Sequence, residues 1–216
     1  MIYVVGGIKG GVGKTTVAVN FIHYLAFELK RDVLLIDADD QETATDYTSW
    51  RDVTLDGELG YTAIKLTGDA IRAQMSNLKK KYDDIVIDTG GRDTRSQRAA
   101  LIVADLYLIP FYPRSFDFWT VTKVQHLIND IKTVNTNLKS VAFLNRADIR
   151  SADNRDTSSA LEDAEGIIFL NYPLLNRKCF SNAAGKGLSV FEFEPKDEKA
   201  INELNLLFKE LINLTN

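Results

Sequence analysis

Two lysines and three glycines within eight residues set the first chemical expectation. The stretch Lys9-Gly10-Gly11-Val12-Gly13-Lys14-Thr15-Thr16 separates an apolar run, Met1 to Val5, from a segment with apolar residues at helical spacing, Val17, Phe21, Tyr24 and Leu25. A strand that enters a helix through such a loop can curl backbone N–H groups around an anion. The glycines offer no Cβ to obstruct it, and the helix N-terminus adds its dipole. Lys14 is placed to reach β- and γ-phosphates, and Thr15 to set a hydroxyl on Mg²⁺. The plainer alternative is a glycine-rich turn that merely starts a helix; the strand–loop–helix context favours phosphate binding.

Carboxylates recur where apolar strands end. Asp37 closes the run Asp32 to Asp37 and is followed by Asp39, Asp40 and Gln41; Asp88 closes Tyr82 to Asp88 and is followed by Thr89-Gly90-Gly91. In open α/β sheets ligands bind at the carboxyl ends of the strands, so these groups should converge on one crevice with the loop. Asp88 is the candidate to hold Mg²⁺ through a water. The glycines after it could bring a backbone N–H to the γ-phosphate, making residues 89–98 a nucleotide-sensing switch. Asp39 has a plainer alternative, a capping residue before the next helix. Asn145-Arg146-Ala147-Asp148 fits an N-[KR]-x-D purine-recognition element, with Asn145 offering an amide donor and acceptor to a base edge. A strand-to-loop asparagine is the alternative there.

These groups need strands and helices to hold them. Buried strands are expected at Met1 to Val5, Asp32 to Asp37, Tyr82 to Asp88, Leu106 to Pro110, Ser140 to Asn145 and Ile167 to Tyr172, with a short one at Ala63 to Leu66. They lack alternation, as strands covered on both faces do. Helices are expected after the loop, near Thr43 to Arg51, over Asp69 to Lys81 with Asp69 as its cap, over Thr94 to Ala104, over Phe116 to Asn135, ending over Ser158 to Glu165, and over Asp197 to Leu214. Pro110 and Pro113 read first as turn-formers. The alternation predicts an α/β fold: a doubly wound, mostly parallel sheet with helices on both faces, in one domain over residues 1–216 without repeat or linker.

Composition limits the function classes. The 216 residues carry a net charge of −4, so any nucleic-acid contact must come from a local patch. Cys179 is the single cysteine, which excludes an internal disulfide and a CxxC metal framework. No signal peptide precedes the first strand and no apolar run approaches ~18 residues, so a soluble, cytoplasmic protein is expected. The last helix sets Glu198, Glu203 and Glu210 against Lys199 and Lys209, a pattern that suits a packed cap on the sheet better than a membrane anchor.

With Ile8 where the ordinary G-x-x-x-x-G-K-[ST] form has its first glycine, and Lys9 added, the loop resembles the deviant Walker A motif, K-G-G-x-G-K-[ST], of the ParA/MinD family of ATPases. The motifs fall in family order from Lys9 to Glu192. Asp37-Ala38-Asp39-Asp40-Gln41 resembles the family's D-x-D-x-Q switch I, with Asp40 where a proline is usual. Asp88 matches the Walker B position, and Pro110 to Asp117 resembles a P-x-x-P-S-x-x-D segment with Arg114 in the serine's place. Asn176-Arg177 through Ser189-Val190-Phe191-Glu192 resembles a stretch of the small plasmid and chromosome partition members.

The resemblance implies an ATPase that uses ATP and Mg²⁺. Lys9 would reach across an ATP-sandwich homodimer, Asp37 would sit near Mg²⁺ through water, and Asp39 would position the attacking water. Gly10, Gly11, Val12, Gly13 and Thr16 would complete the nucleotide site with Lys14 and Thr15, while Asn145 and, more weakly, Pro173 after the last strand would line the base pocket. Arg150, Arg177 and Lys178 fall near DNA-contacting positions, where contacts go to phosphates without sequence readout; their plainer reading is solvated surface. The implied partners are non-specific DNA and a centromere-binding adaptor of the ParB/ParG type, without membrane, with nucleoid association in the ATP state. The first strand at Met1 leaves no room for a helix-turn-helix domain ahead of it, so operator-specific binding is not expected. The rival readings are a MinD-like membrane-associated positioning ATPase and a metabolic P-loop ligase or kinase.

Overall fold

A computed structural model describes residues 1–115, 118–149 and 151–215. Seven strands form one sheet: β1 (Ile2–Val5), β2 (Val33–Asp37), β3 (Thr62–Lys65), β4 (Asp84–Asp88), β5 (Leu106–Phe111), β6 (Lys139–Ala147) and β7 (Ile168–Leu175). Their order is β3-β2-β4-β1-β5-β6-β7, and every neighbouring pair is parallel. The expected doubly wound α/β sheet is present. β1, β2, β4 and β5 are buried along their whole length, which is why their sequences read as unbroken apolar runs.

The helices are α1 (Lys14–His23), α2 (Thr43–Thr54), α3 (Asp69–Leu78), α4 (Arg95–Val103), α5 (Phe118–Lys132), α6 (Ala152–Glu162), α7 (Lys178–Ala184) and α8 (Glu198–Asn213). One face of the sheet meets α3, α4, α5 and α6 through Ile71, Met75, Leu101, Val124, Ile128 and Leu161. The other meets α1, α2, α7 and α8 through Phe21, Ile22, Ala44, Ala183, Leu204 and Phe208. α8 buries Leu204, Leu207, Phe208 and Leu211 against the sheet, so its apolar face is already covered. Among the described residues no helix is long and apolar enough to cross a membrane.

Several expected details are corrected. Asp69 is the first helical residue of α3 rather than its cap; Gly68 takes that place, and Asp69 pairs with Arg95. Pro173 lies inside β7 instead of after it. Pro110 lies within β5, where β1 has already ended opposite Leu108, so no ladder hydrogen bond to β1 is lost. Pro113 does open a turn, the 3₁₀ segment Pro113–Ser115. α7 and the π-helical turn Tyr24–Glu28 that continues α1 were not anticipated, and α6 starts earlier than expected, capped by Ser151. The first two residues of the helix expected at Phe116 lie outside the described residues.

Candidate functional site

The loop between β1 and α1 is held open from beneath. Gly13 is the N-cap of α1 with φ +87°, a left-handed conformation in which a side chain is strained, and a Cβ there would lie 2.5 Å from Asn145 Nδ2. Asn145 donates from Nδ2 to the Val12 carbonyl at 2.7 Å, and Arg146 donates from Nη1 to the Gly11 carbonyl at 2.9 Å. Turning these carbonyls toward β6 keeps them out of the cleft that an anion would enter. Arg146 has φ +56° and stacks its guanidinium on Tyr112, 4.8 Å from the ring centroid. Lys14 is 7% exposed and donates to the Lys9 carbonyl at 3.3 Å. Burial lowers its pKa, against the pull of Asp88 and Asp39.

The carboxylates converge here as expected. Thr15 donates its hydroxyl to Asp88 Oδ2 at 2.6 Å. Asp88 is fully buried, and its Oδ1 has no hydrogen-bond partner. Burial, with Asp37 and Asp39 close by, pushes its pKa up to about 7, although Thr15 and Lys14 act in the opposite sense. Asp37 accepts from the Asp39 N–H at 3.1 Å and from both the N–H and the hydroxyl of Thr45 at 2.8 Å. It thereby satisfies the first turn of α2, whose N-cap Glu42 makes no side-chain capping bond and pairs with Lys65 instead. Asp39 accepts from the Gln41 N–H at 3.2 Å, a local bond that does not cap α2.

Residues 89–94 close the other wall. Thr89 bonds back to the Val5 carbonyl through its N–H at 3.0 Å and its hydroxyl at 3.1 Å. Gly91 lies against the loop so closely that a Cβ would sit 2.7 Å from Gly10 N and Cα. Asp39, Gly90, Gly91 and the loop together border a cleft of about 790 Å³. A second cavity of about 500 Å³ adjoins it through Gly13 and Thr16 and is lined by Asn145, Arg146, Asn176 and Phe180. Clefts of this size hold small-molecule ligands.

Some expected residues stand elsewhere. Pro173 does not line the second cavity; Leu174, Leu175 and Asn176 do, because β7 runs on to Leu175. One hydrogen of the Asn145 amide is committed to Val12. Arg177, expected on an open surface, donates to Glu203 at 2.5 to 3.2 Å and is mostly buried. Lys178 is exposed at the start of α7, and Arg150 lies outside the described residues. The positive φ of Arg146 and its bond to the loop carry no sequence signal.

The family model of the CobQ/CobB/MinD/ParA nucleotide binding domain matches residues 3–190. The chain belongs to this family. Within the CobQ/CobB/MinD/ParA family it is 27% identical, over 209 residues, to the maintenance of carboxysome distribution protein A of Halothiobacillus neapolitanus, covering 96% of this chain and 94% of that one. The fold is that of apo McdA from Cyanothece, with TM-score 0.79 at 16% identity over 100% and 99% of the two chains. It is also that of a putative plasmid partition protein of Borrelia burgdorferi bound to AMPPNP, with TM-score 0.74 at 20% identity over 98% of each chain.

The residues present fit a magnesium nucleotide. The orphaned Oδ1 of Asp88 and the Thr15 hydroxyl offer hard oxygen ligands in a pocket where three carboxylates face one lysine. Among the described residues no cluster of three His, Cys, Asp or Glu forms a metal cage. Mg²⁺ needs none, since it takes few protein ligands and shares the rest with phosphates and water.

Proposed function

We propose that the protein is a ParA-type ATPase that closes into an ATP-bridged homodimer, binds DNA without sequence preference and hydrolyses ATP when an adaptor engages it. The reading rests on one observation: the Lys9–Thr16 loop meets Asp37, Asp39 and Asp88 at the carboxyl ends of β1, β2 and β4. Mg²⁺, when bound with ATP, supplies charge neutralisation at the β- and γ-phosphates. The loop N–H groups and Lys14 bind those phosphates, Thr15 and Asp88 hold the metal side, and Asp37 steadies switch I through Thr45. Asp39 orients the attacking water and takes hydrogen bonds from it. Lys9 offsets phosphate charge where two nucleotides face each other.

The second cavity takes the adenosine. The cargo is plasmid or chromosomal DNA, coupled through a centromere-binding adaptor of the ParB/ParG type. A second reading keeps the same cycle and changes the cargo to a protein body, favoured by the match along nearly the whole chain to a carboxysome-distribution protein. Light scattering and DNA co-sedimentation in saturating ATP or ADP test the shared part. A dimer on DNA with ATP alone is expected. A monomer that turns over ATP without DNA would favour the metabolic ligase or kinase, and ATP-dependent binding to liposomes instead of DNA the MinD-like reading.

A further inference from the structure

The Ser189 to Glu192 stretch lies outside the phosphate cleft, yet it gathers a dense set of polar contacts. Arg51, 1% exposed, donates from Nη1 and Nη2 to the two oxygens of Glu192, each at 2.7 Å. Its Nε donates to the Leu59 carbonyl at 2.8 Å and Nη1 reaches the Gly187 carbonyl at 3.3 Å. The rings of Phe27 and Tyr61 flank the guanidinium, with centroids 5.8 and 5.5 Å away. Glu192 also accepts from the Ser189 N–H at 3.0 Å and hydroxyl at 2.9 Å, and His23 Nδ1 is 3.3 Å away.

Two further bonds extend this cluster. Thr54 donates to the Lys186 carbonyl at 2.8 Å. Asn20 accepts from the Val190 N–H at 2.8 Å while donating to the Thr16 carbonyl at 2.7 Å. Residues 186–192 therefore grip the last turn of α1, through Asn20 and His23, and the last turn of α2, through Arg51 and Thr54.

The first turns of the same two helices carry the chemistry. α1 begins with Lys14 and Thr15, and α2 follows Asp39 and is held at Thr45 by Asp37. A helix of twelve residues is a rod of ~18 Å, so a tilt of ~10° about one end moves the other by ~3 Å. The contacts at the far ends of α1 and α2 thus set where switch I stands relative to the phosphate loop. A bidentate ion pair suits this task, because two parallel bonds fix an angle as well as a distance. For stability alone a pair of apolar side chains serves as well.

We infer that Arg51 and Glu192 are positioning residues for ATP hydrolysis, bracing α2 against α1 so that Asp39 stays aligned with the terminal phosphate. The inference rests on the ATPase reading and adds to it a site far from the nucleotide.

The test compares Arg51→Met, Glu192→Leu and the double variant in thermal melting, steady-state ATPase kinetics and hydrogen exchange. Either single variant leaves a buried charge unpaired and should melt early. The double variant should recover its melting temperature, yet lose ~10- to 100-fold in kcat with the KM for ATP nearly unchanged. Exchange without nucleotide should rise across residues 38–49 and stay unchanged in residues 2–5 and 14–19. A double variant with wild-type kcat and unaltered exchange would overturn the brace. Should the wild-type protein hydrolyse no ATP, the ATPase reading fails by itself, and exchange over 38–49 decides on the brace.

Discussion

Asp39 stands at the rim of the phosphate cleft, its Oδ1 steadied by the Gln41 N–H and its carboxylate beside Gly90. Its side chain bonds to the Gln41 N–H rather than to Thr15 or to the helix start that Asp37 caps, so its removal should leave nucleotide and metal binding intact. Asp39→Ala is expected to bind ATP with unchanged affinity and lose hydrolysis by ~100-fold or more, accumulating as an ATP dimer on DNA. The task proposed for Lys9 is different, because like charges that meet at an interface destabilise it. Lys9→Ala should bind nucleotide through Lys14 and remain monomeric in ATP. Size-exclusion with light scattering compares the two; a Lys9→Ala dimer that turns over normally would remove the sandwich mechanism. The places of both residues, as distinct from their roles, were legible in the sequence, because spacing within a loop or at a strand end survives folding as proximity. Arg51 and Glu192 were not, since 141 residues of chain separate them and only the fold brings them together.

At the scale of elements, the segment after β4, proposed to sense the nucleotide, packs directly on the loop after β1. Gly91→Ala would drive a methyl into the Gly10 backbone, which cannot rotate away as a side chain can. The expected result is a loss of ~10-fold or more in kcat with a stability change under ~1 kcal/mol, read by paired kinetics and melting. Unchanged kcat would mean that this contact does not transmit the nucleotide state. A second expectation concerns acid. Burial holds His23 down to about 4, with Glu192 opposing and Arg51 assisting. Glu192 is raised by burial, but the Arg51 hydrogen bonds, His23 and Ser189 outweigh this and bring it to about 2. In both cases the unfolded chain binds protons that the folded chain does not, so stability rises with pH. Their joint contribution should be flat above about pH 7, fall below about 6.5 as unfolded His23 protonates, and fall further below about 4.5 through Glu192. Asp88, raised to about 7, acts in the opposite sense between about 4 and 7. Urea midpoints against pH should show this, and His23→Gln should flatten the upper limb. A His23→Gln profile that coincides with the parent's between about pH 7 and 4 would contradict the burial argument.

Strands buried on both faces were read correctly because continuous apolar runs have little else to be. α7 escaped notice because its seven residues show no clear apolar face, with only Ala183 buried. Asp69 was misplaced as a cap because Gly68, free of Cβ, could take the strained turn, while Arg95, 26 residues on, drew the carboxylate outward.

On the scale of the whole molecule, a chain of net charge −4 must confine any DNA contact to a patch. Arg177 ties β7 to α8: Glu203 accepts from Arg177 and from the Leu175 N–H at 3.1 Å. Arg177→Ala should therefore cost ~1–3 kcal/mol of stability by leaving Glu203 underpaired. Lys178, exposed beside it, should behave oppositely. Lys178→Glu should melt as the parent does, weaken DNA binding across all sequences and lower its salt slope by about one. If Lys178→Glu binds DNA unchanged, the patch lies elsewhere.

The position of β1 has one more consequence. It lies at the middle of the sheet, paired to Ile85–Asp88 on one side and Leu106–Leu108 on the other. During synthesis at ~5–20 residues per second, the amino-terminal strand must wait several seconds until both neighbours have left the ribosome. Until then Ile2 to Val5 is an unpaired apolar segment, and the loop that follows has no rigid floor. Ile2 to Val5 can take its final place only once Leu106–Leu108 has been made, so a nascent chain halted before Leu108 should be unable to retain nucleotide and should depend on chaperones for its solubility.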